Sequence, residues 1–159
     1  MNLYLIRHGD AEPISTSKSD FDRKLTPKGK EAIKKASEGW KKIITSFDII
    51  ASSPLTRAVQ TAEIIASVYG HKEKIITDKR LTSGCRPEDV IDFVKSFDED
   101  EIAIVGHEPD LSKNLSALVS SNGMLTEFKR GSIVKINFEG RVRQGAGTLE
   151  FLIPLELFK

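Results

Sequence analysis

A chain of 159 residues, 39% hydrophobic and 30% charged, is long enough for one domain spanning 1–159, since a domain of this size buries about 70% of the surface its unfolded form exposes. Its 24 Lys and Arg against 23 Asp and Glu give a net charge of +1, which excludes the basic stripe of a nucleic-acid binder. One cysteine, Cys85, excludes an intramolecular disulfide, and no apolar run approaches the roughly 18 residues of a membrane span. The first residues also lack the basic segment and apolar stretch of a secretory signal, so the expectation is a cytoplasmic protein that engages neither membrane nor nucleic acid.

Leu3-Tyr4-Leu5-Ile6 has no polar alternation and predicts a strand covered on both faces. It runs directly into Arg7-His8-Gly9. In open α/β sheets ligands bind beyond the carboxyl ends of such strands, so these residues stand where a site is expected. Arginine offers a planar fork for phosphate oxygens, histidine a nitrogen nucleophile, and glycine a backbone that a ligand can approach closely. Residues 15–19, Ser-Thr-Ser-Lys-Ser, predict a solvated loop over this site.

Thr26-Pro27 is a helix start, with threonine as N-cap and proline in the first turn; Ile33, Ala36, Trp40 and Ile43 form its apolar stripe. The lysines on this helix, interleaved with Glu31 and Glu38, read as its solvated face. Residues 47–52 predict a second buried strand, ended by a second helix start at Ser53-Pro54. The following helix buries Leu55, Ala58, Val59, Ala62, Ile65 and Ala66 and carries Arg57 in its opening turn. His71 falls in a surface loop, residues 74–77 in a short strand, and residues 87–97 in a helix with Val90, Ile91, Val94 and Phe97 inward. A strand at 101–105 leads into Gly106-His107, and Pro109 opens a helix burying Leu111, Leu115 and Leu118. Residues 132–138 and 148–153 pair through a glycine-bearing turn region as an antiparallel edge. The alternation predicts a three-layer α/β/α sandwich with a mostly parallel sheet.

Parallel strands would deliver Arg7 and His8, Arg57 and His107 to one edge of that sheet. A helix N-terminus adds to the charge of Arg57. Two guanidiniums and two imidazoles together suit a dianionic phosphoryl group. Taken singly, His107 reads as a structural histidine bonded to a carbonyl, and Arg57 as a surface residue paired with Glu63 or Asp48; the convergence is what points to a site. A cysteine phosphatase is excluded because Ile91 stands where its arginine is required after Cys85. Zinc-hydrolase spacing and a Gly-Lys-Ser/Thr phosphate loop are also missing.

LIRHGDAE (5–12), LTPKG (25–29), SSPLTRAVQTAEI (52–64) and VGHEPDLS (105–112), in this order, resemble the histidine phosphatase superfamily with its phosphoglycerate-mutase-like fold, and among its branches the small SixA-type phosphohistidine phosphatases. The resemblance implies His8 as the nucleophile that forms a transient phosphohistidine, Arg7 and Arg57 as clamps on the phosphoryl oxygens, His107 as a source of charge or a hydrogen bond, and no metal or organic cofactor. Gly9 is expected at the substrate. The larger branches supply a carboxylic acid for an alkoxide leaving group, but residues 81–87 contain none; Glu88, Asp89, Asp10 and Glu108 are the nearby substitutes. Imidazole leaves a phosphoramidate with far less help than an alkoxide leaves an ester, so the expected substrate is phosphohistidine in a partner protein. The alternatives are a broad phosphomonoesterase or sugar-phosphate phosphatase using Glu88 or Glu108 as acid, and a non-catalytic phosphate-binding module. A mutase fits less well, because the short connections leave little to close a pocket. The charge balance, with no evident apolar surface face, suggests a monomer.

Overall fold

Strand β1 (Asn2–Arg7) lies inside a six-stranded sheet whose order is β3-β2-β4-β1-β5-β6, where β2 is Ile49–Ser52, β3 Ile76–Thr77, β4 Glu101–Gly106, β5 Ile133–Asn137 and β6 Thr148–Ile153. The computed structural model describes residues 1–16 and 19–158; Ser17 and Lys18 of the expected serine loop, and Lys159, lie outside them. β1, β2, β3 and β4 run parallel, β5 is antiparallel to β1, and β6 is antiparallel to β5. The fold is α/β, with the expected antiparallel C-terminal edge.

Alternation along the central strands divides the core in two. Leu3, Leu5, Ile102 and Ile104 pack with α3 (Pro87–Val94) and α4 (Asp110–Val119), while Tyr4, Ile6, Ala103 and Val105 pack with α1 (Pro27–Trp40) and α2 (Thr56–Tyr69). Both faces of β1 and β4 are thus covered, which is why these segments show no polar alternation. Truncating a fully buried member such as Leu5 costs about 2–5 kcal/mol in such a setting.

At the end of the sheet where β1 and β4 begin and β5 finishes, a polar network ties these three strands together. Asn2 Nδ2 donates to Glu101 Oε1 at 2.6 Å, the Tyr4 hydroxyl donates to Glu101 Oε2 at 2.6 Å, and Asn137 Nδ2 donates to Asn2 Oδ1 at 3.0 Å. The register it accompanies places Arg7 opposite Gly106 at the other end.

Helix ends differ from expectation where local hydrogen bonding outweighs periodicity. Thr26 caps α1 as predicted, its Oγ1 accepting from Gly29 N at 2.9 Å. The helix stops at Trp40, however, so Ile43 is exposed and Ile44 takes the buried position. α2 begins at Thr56, not at Ser53-Pro54, because Ser53 is used by the site described below. Val59 is half-buried, and Arg57 and Thr61 are buried on this helix instead. α3 ends at Val94, with Phe93 in the core and Phe97 partly buried beyond it. Gly70, at φ 65°, ends α2 in the left-handed conformation open to glycine. His71 follows, its N–H donating to Ala66 O at 2.9 Å. His71 is consequently half-buried, not the surface residue expected.

Candidate active site

The carboxyl ends of β1, β2 and β4 are held side by side by main-chain bonds. His8 N donates to Gly106 O at 3.2 Å and Ser53 N to Val105 O at 3.0 Å. On the other flank, Gly131 N donates to Arg7 O at 3.1 Å and Arg7 N to Ser132 O at 3.1 Å. His8 is therefore fixed from both neighbouring strands as it leaves the sheet.

The ring of His8 is buried, with 8% of the residue exposed. Its Nδ1 lies 2.7 Å from Gly9 O. A carbonyl only accepts, so Nδ1 carries the proton and Nε2 carries the lone pair. Arg57 Nε donates to that Nε2 at 3.3 Å. Burial, reinforced by His107, Arg57 and Arg7, pushes the His8 pKa down to about 3, so the ring is neutral at physiological pH and Nε2 is available as a nucleophile.

His107 faces it with ring centroids 5.1 Å apart. Its Nε2 bonds to Ser53 Oγ at 2.8 Å, whereas its Nδ1 is buried without a partner among the described residues. Burial first, then Arg57, lowers its pKa to about 4. Arg7 Nη1 donates to Phe128 O at 2.8 Å while its Nε is buried and has no partner among the described residues. Desolvation lowers the Arg7 pKa from its ordinary value, partly offset by Glu108. The guanidinium nonetheless stays charged, because arginine starts so far above neutrality. Arg57 is 5% exposed and stands in the first turn of α2, so the positive end of that helix lies at the same edge.

The structure thus brings Arg7, His8, Arg57 and His107 together at one sheet edge. Gly9 is also there, but its most evident constraint is packing. A Cβ on Gly9 would stand 2.8 Å from the Ile33 side chain and 3.3 Å from Gly29 O, so α1 presses directly against the loop after His8. Gly29 has the reciprocal constraint, a Cβ there meeting Asp10 O at 2.2 Å. The two glycines of the RHG and LTPKG blocks belong to one contact.

Several functional neighbours escaped the sequence reading. Thr61 Oγ1 accepts from Gly9 N at 3.2 Å and donates to Arg57 O at 2.8 Å, and Gln60 Oε1 accepts from Leu25 N at 2.8 Å. Their helical spacing gave no hint of this, because a polar residue inside a helix pattern reads as solvated. Asp20 is the partner of Arg57, in place of the expected Glu63 or Asp48. His107 bonds to the Ser53 hydroxyl and not to a carbonyl.

The four candidate acids are hydrogen-bonded to groups outside the cluster, although the charge of Glu108 still reaches Arg7. Glu108 accepts from Ser112 N at 3.1 Å and from Ser112 Oγ at 2.8 Å. Asp10 holds Thr26 Oγ1 at 2.9 Å and pairs with Arg130; Asp89 caps α3 through Arg86 N at 2.8 Å; Glu88 accepts from Gln144 on the surface. Among the described residues no group of three or more His, Cys, Asp or Glu side chains is placed to hold a metal ion, and no helix is long and apolar enough to cross a membrane.

The family model of the histidine phosphatase superfamily (branch 1) matches residues 3–83. An uncharacterized protein of Picosynechococcus sp. (strain ATCC 27264 / PCC 7002 / PR-6) is 28% identical over 166 residues, covering 99% of this chain and 94% of its own. The protein histidine phosphatase SixA complexed with tungstate superposes with a TM-score of 0.89 at 20% identity over 100% of both chains. Phosphoserine phosphatase from Entamoeba histolytica in complex with 3-phosphoglyceric acid does so with a TM-score of 0.67 at 19% identity over 96% of each.

Proposed function

Because the chain belongs to the histidine phosphatase superfamily (branch 1), a family of phosphatases, we propose that it removes the phosphoryl group from phosphohistidine presented by another protein, through a covalent phosphoryl group on His8. The observation that carries this choice of substrate is the state of the carboxyl groups. Glu88, Asp89, Asp10 and Glu108 are each bonded to groups other than the four site residues. Asp20, whose carboxylate does touch Arg57, is held below the usual carboxylate range by Arg23 and Arg57 and has no proton to give. An alkoxide leaving group without a proton donor is expelled slowly, whereas imidazole is not so limited.

In the first step Arg57 Nε turns its hydrogen from His8 Nε2 to a phosphoryl oxygen, and the freed Nε2 lone pair bonds to phosphorus as the phosphorus–nitrogen bond of the substrate breaks. The leaving imidazole nitrogen keeps the bonding pair and takes a proton from solvent. The Nδ1–H bond to Gly9 O holds the ring for this attack and spreads the positive charge that develops on it. Arg57 and Arg7 bear on the equatorial oxygens, where charge rearranges in the transition state, and His107 supplies a further polar group beside them. In the second step water attacks the phosphorus on His8, the nitrogen–phosphorus bond returns its pair to Nε2, one proton of the water stays on the phosphate and the other passes to solvent. Every group used belongs to the chain or to water.

The test compares turnover of a histidine-phosphorylated protein domain with that of small phosphomonoesters, alongside trapping of labelled enzyme in alkali. Acid-labile label on His8, lost in His8→Ala together with turnover, is expected. A preference for the monoesters rejects the protein substrate, and label elsewhere rejects the mechanism.

The SixA neighbour, a protein histidine phosphatase by name, supports this reading. The phosphoserine phosphatase neighbour favours a second one, a small-molecule phosphomonoesterase. The two differ in whether Glu88→Gln or Glu108→Gln removes a carboxylate limb from the pH profile.

A further inference from the structure

Asp20 sits in a short 3-10 turn (Asp20–Asp22) against the start of α2. Its main-chain carbonyl accepts from Arg57 Nη1 at 2.8 Å, and its carboxylate Oδ2 accepts from Nη2 at 3.2 Å. Oδ1 accepts from Arg23 Nη1 at 2.6 Å. Arg57 therefore spends Nε on His8 and Nη2 on Asp20. That pair of nitrogens is the edge of the guanidinium that grips an oxyanion bidentately. A phosphoryl group in line with His8 Nε2 needs the same edge.

We propose that Asp20 is a specificity-determining residue that shares the Nη2 edge of Arg57 with the phosphoryl group and penalises ligands bearing negative charge beyond that group. The inference rests on reading His8 and Arg57 as a phosphoryl site. A phosphoryl oxygen takes a hydrogen of the Nη2 amino group that Oδ2 shares, and the turn stays tethered through its carbonyl to Nη1. The carboxylate, 53% exposed and bonded to Arg23, then remains at the rim beside the phosphoryl group held by Arg57. A ligand with a carboxylate or second phosphate beside the phosphoryl group meets a like charge there. A leaving imidazole, neutral or protonated, does not.

Calorimetric titration with inorganic phosphate and with 3-phosphoglycerate measures both parts of the claim in wild type, Asp20→Asn, Asp20→Ser and Asp20→Glu. Both neutral variants are expected to bind phosphate about fivefold tighter, the size of one partly exposed charge contact, and 3-phosphoglycerate about tenfold or more tighter, since it also loses a like-charge clash. Asp20→Glu keeps the charge and stays within about twofold of wild type. Adding Arg23→Gln to Asp20→Asn shows whether the released Arg23 is responsible, and the gain is expected to persist. Unchanged affinities, equal gains for the two ligands, a gain in Asp20→Glu, or a gain lost with Arg23 overturns the proposal. Phosphoramidate labelling of His8 is read in parallel. Label retained alongside unchanged affinities rejects the role of Asp20 alone, whereas no label in the wild type rejects the phosphoryl site and this inference with it.

Discussion

Gly29→Ala places a methyl group between α1 and the loop that follows the nucleophile. The added carbon would stand 2.2 Å from Asp10 O and 3.0 Å from Asp10 N, whereas ordinary contact begins at 3.4 Å. The Asp10 backbone must therefore retreat by about 1.2 Å, and a rigid partner leaves it little choice because Asp10 O also accepts from Thr26 N at 3.0 Å. Two opposing terms set the stability. Replacing a helical glycine by alanine contributes about 0.5–1 kcal/mol in favour of the helix, and overpacking costs about 1–3 kcal/mol. The net expectation is a loss of about 1 kcal/mol, within a span of about 0–2.5 kcal/mol. Activity should suffer more, since His8 is two residues away and a displacement near 1 Å at a reacting group costs on the order of a hundredfold in rate. Steady-state turnover and urea denaturation measure the two effects on the same preparation. Gly140→Ala, where a Cβ meets nothing within 4 Å, serves as the control. A Gly29→Ala protein that is more stable and fully active would refute the argument that α1 positions the nucleophile loop.

Other outcomes follow from the buried histidines and their partners. The folded pKa values of His8 and His107, about 3 and about 4, lie below the unfolded value near 6.5. The unfolded chain therefore binds protons first, and the stability these rings contribute is complete above pH 6.5 and lost as pH falls toward 4. Two rings make the slope on the order of 2–3 kcal/mol per pH unit in that window; denaturation curves from pH 7 to 4.5 should show it, and His107→Asn should halve it. Stability that is flat between pH 7 and 5 contradicts the assignment. Ser53→Ala leaves His107 Nε2 without the hydroxyl it bonds and is expected to cost about 1–3 kcal/mol, measured against Ser112→Ala as a surface-side comparison. Glu108→Gln keeps its size and is expected to retain turnover on phosphohistidine within about threefold, a conservative change away from the reacting atoms costing less than about 1 kcal/mol; a loss of a hundredfold would identify Glu108 as an acid.

The three strand ends were legible in the sequence because burial on both faces suppresses alternation, so Leu3 to Ile6 and Ile102 to Val105 stand out and the residues after them are marked as edge residues. Arg7, His8, Arg57 and His107 could be placed on that logic alone. Asp20 could not, because its contact to Arg57 spans a turn whose conformation depends on Arg23 and on the first turn of α2. Ser53 was misread for a related reason: Ser-Pro is a fair helix start, but here the hydroxyl serves His107 and the helix begins at Thr56. Ile43 shows the limit of periodicity, since it fits the stripe of α1 but comes after the helix has already ended at Trp40.

The cluster of Asn2, Tyr4, Glu101 and Asn137 sits at the opposite end of the sheet from the chemistry, yet it bears on that chemistry. In a parallel pair a slip of one residue turns every side chain to the other face, and Arg7 and His8 would exchange places relative to Gly106 and His107. The Glu101 carboxylate, clasping both Asn2 and Tyr4, works as a distant registration pin. Its loss would blur the alignment of the imidazoles without touching either ring.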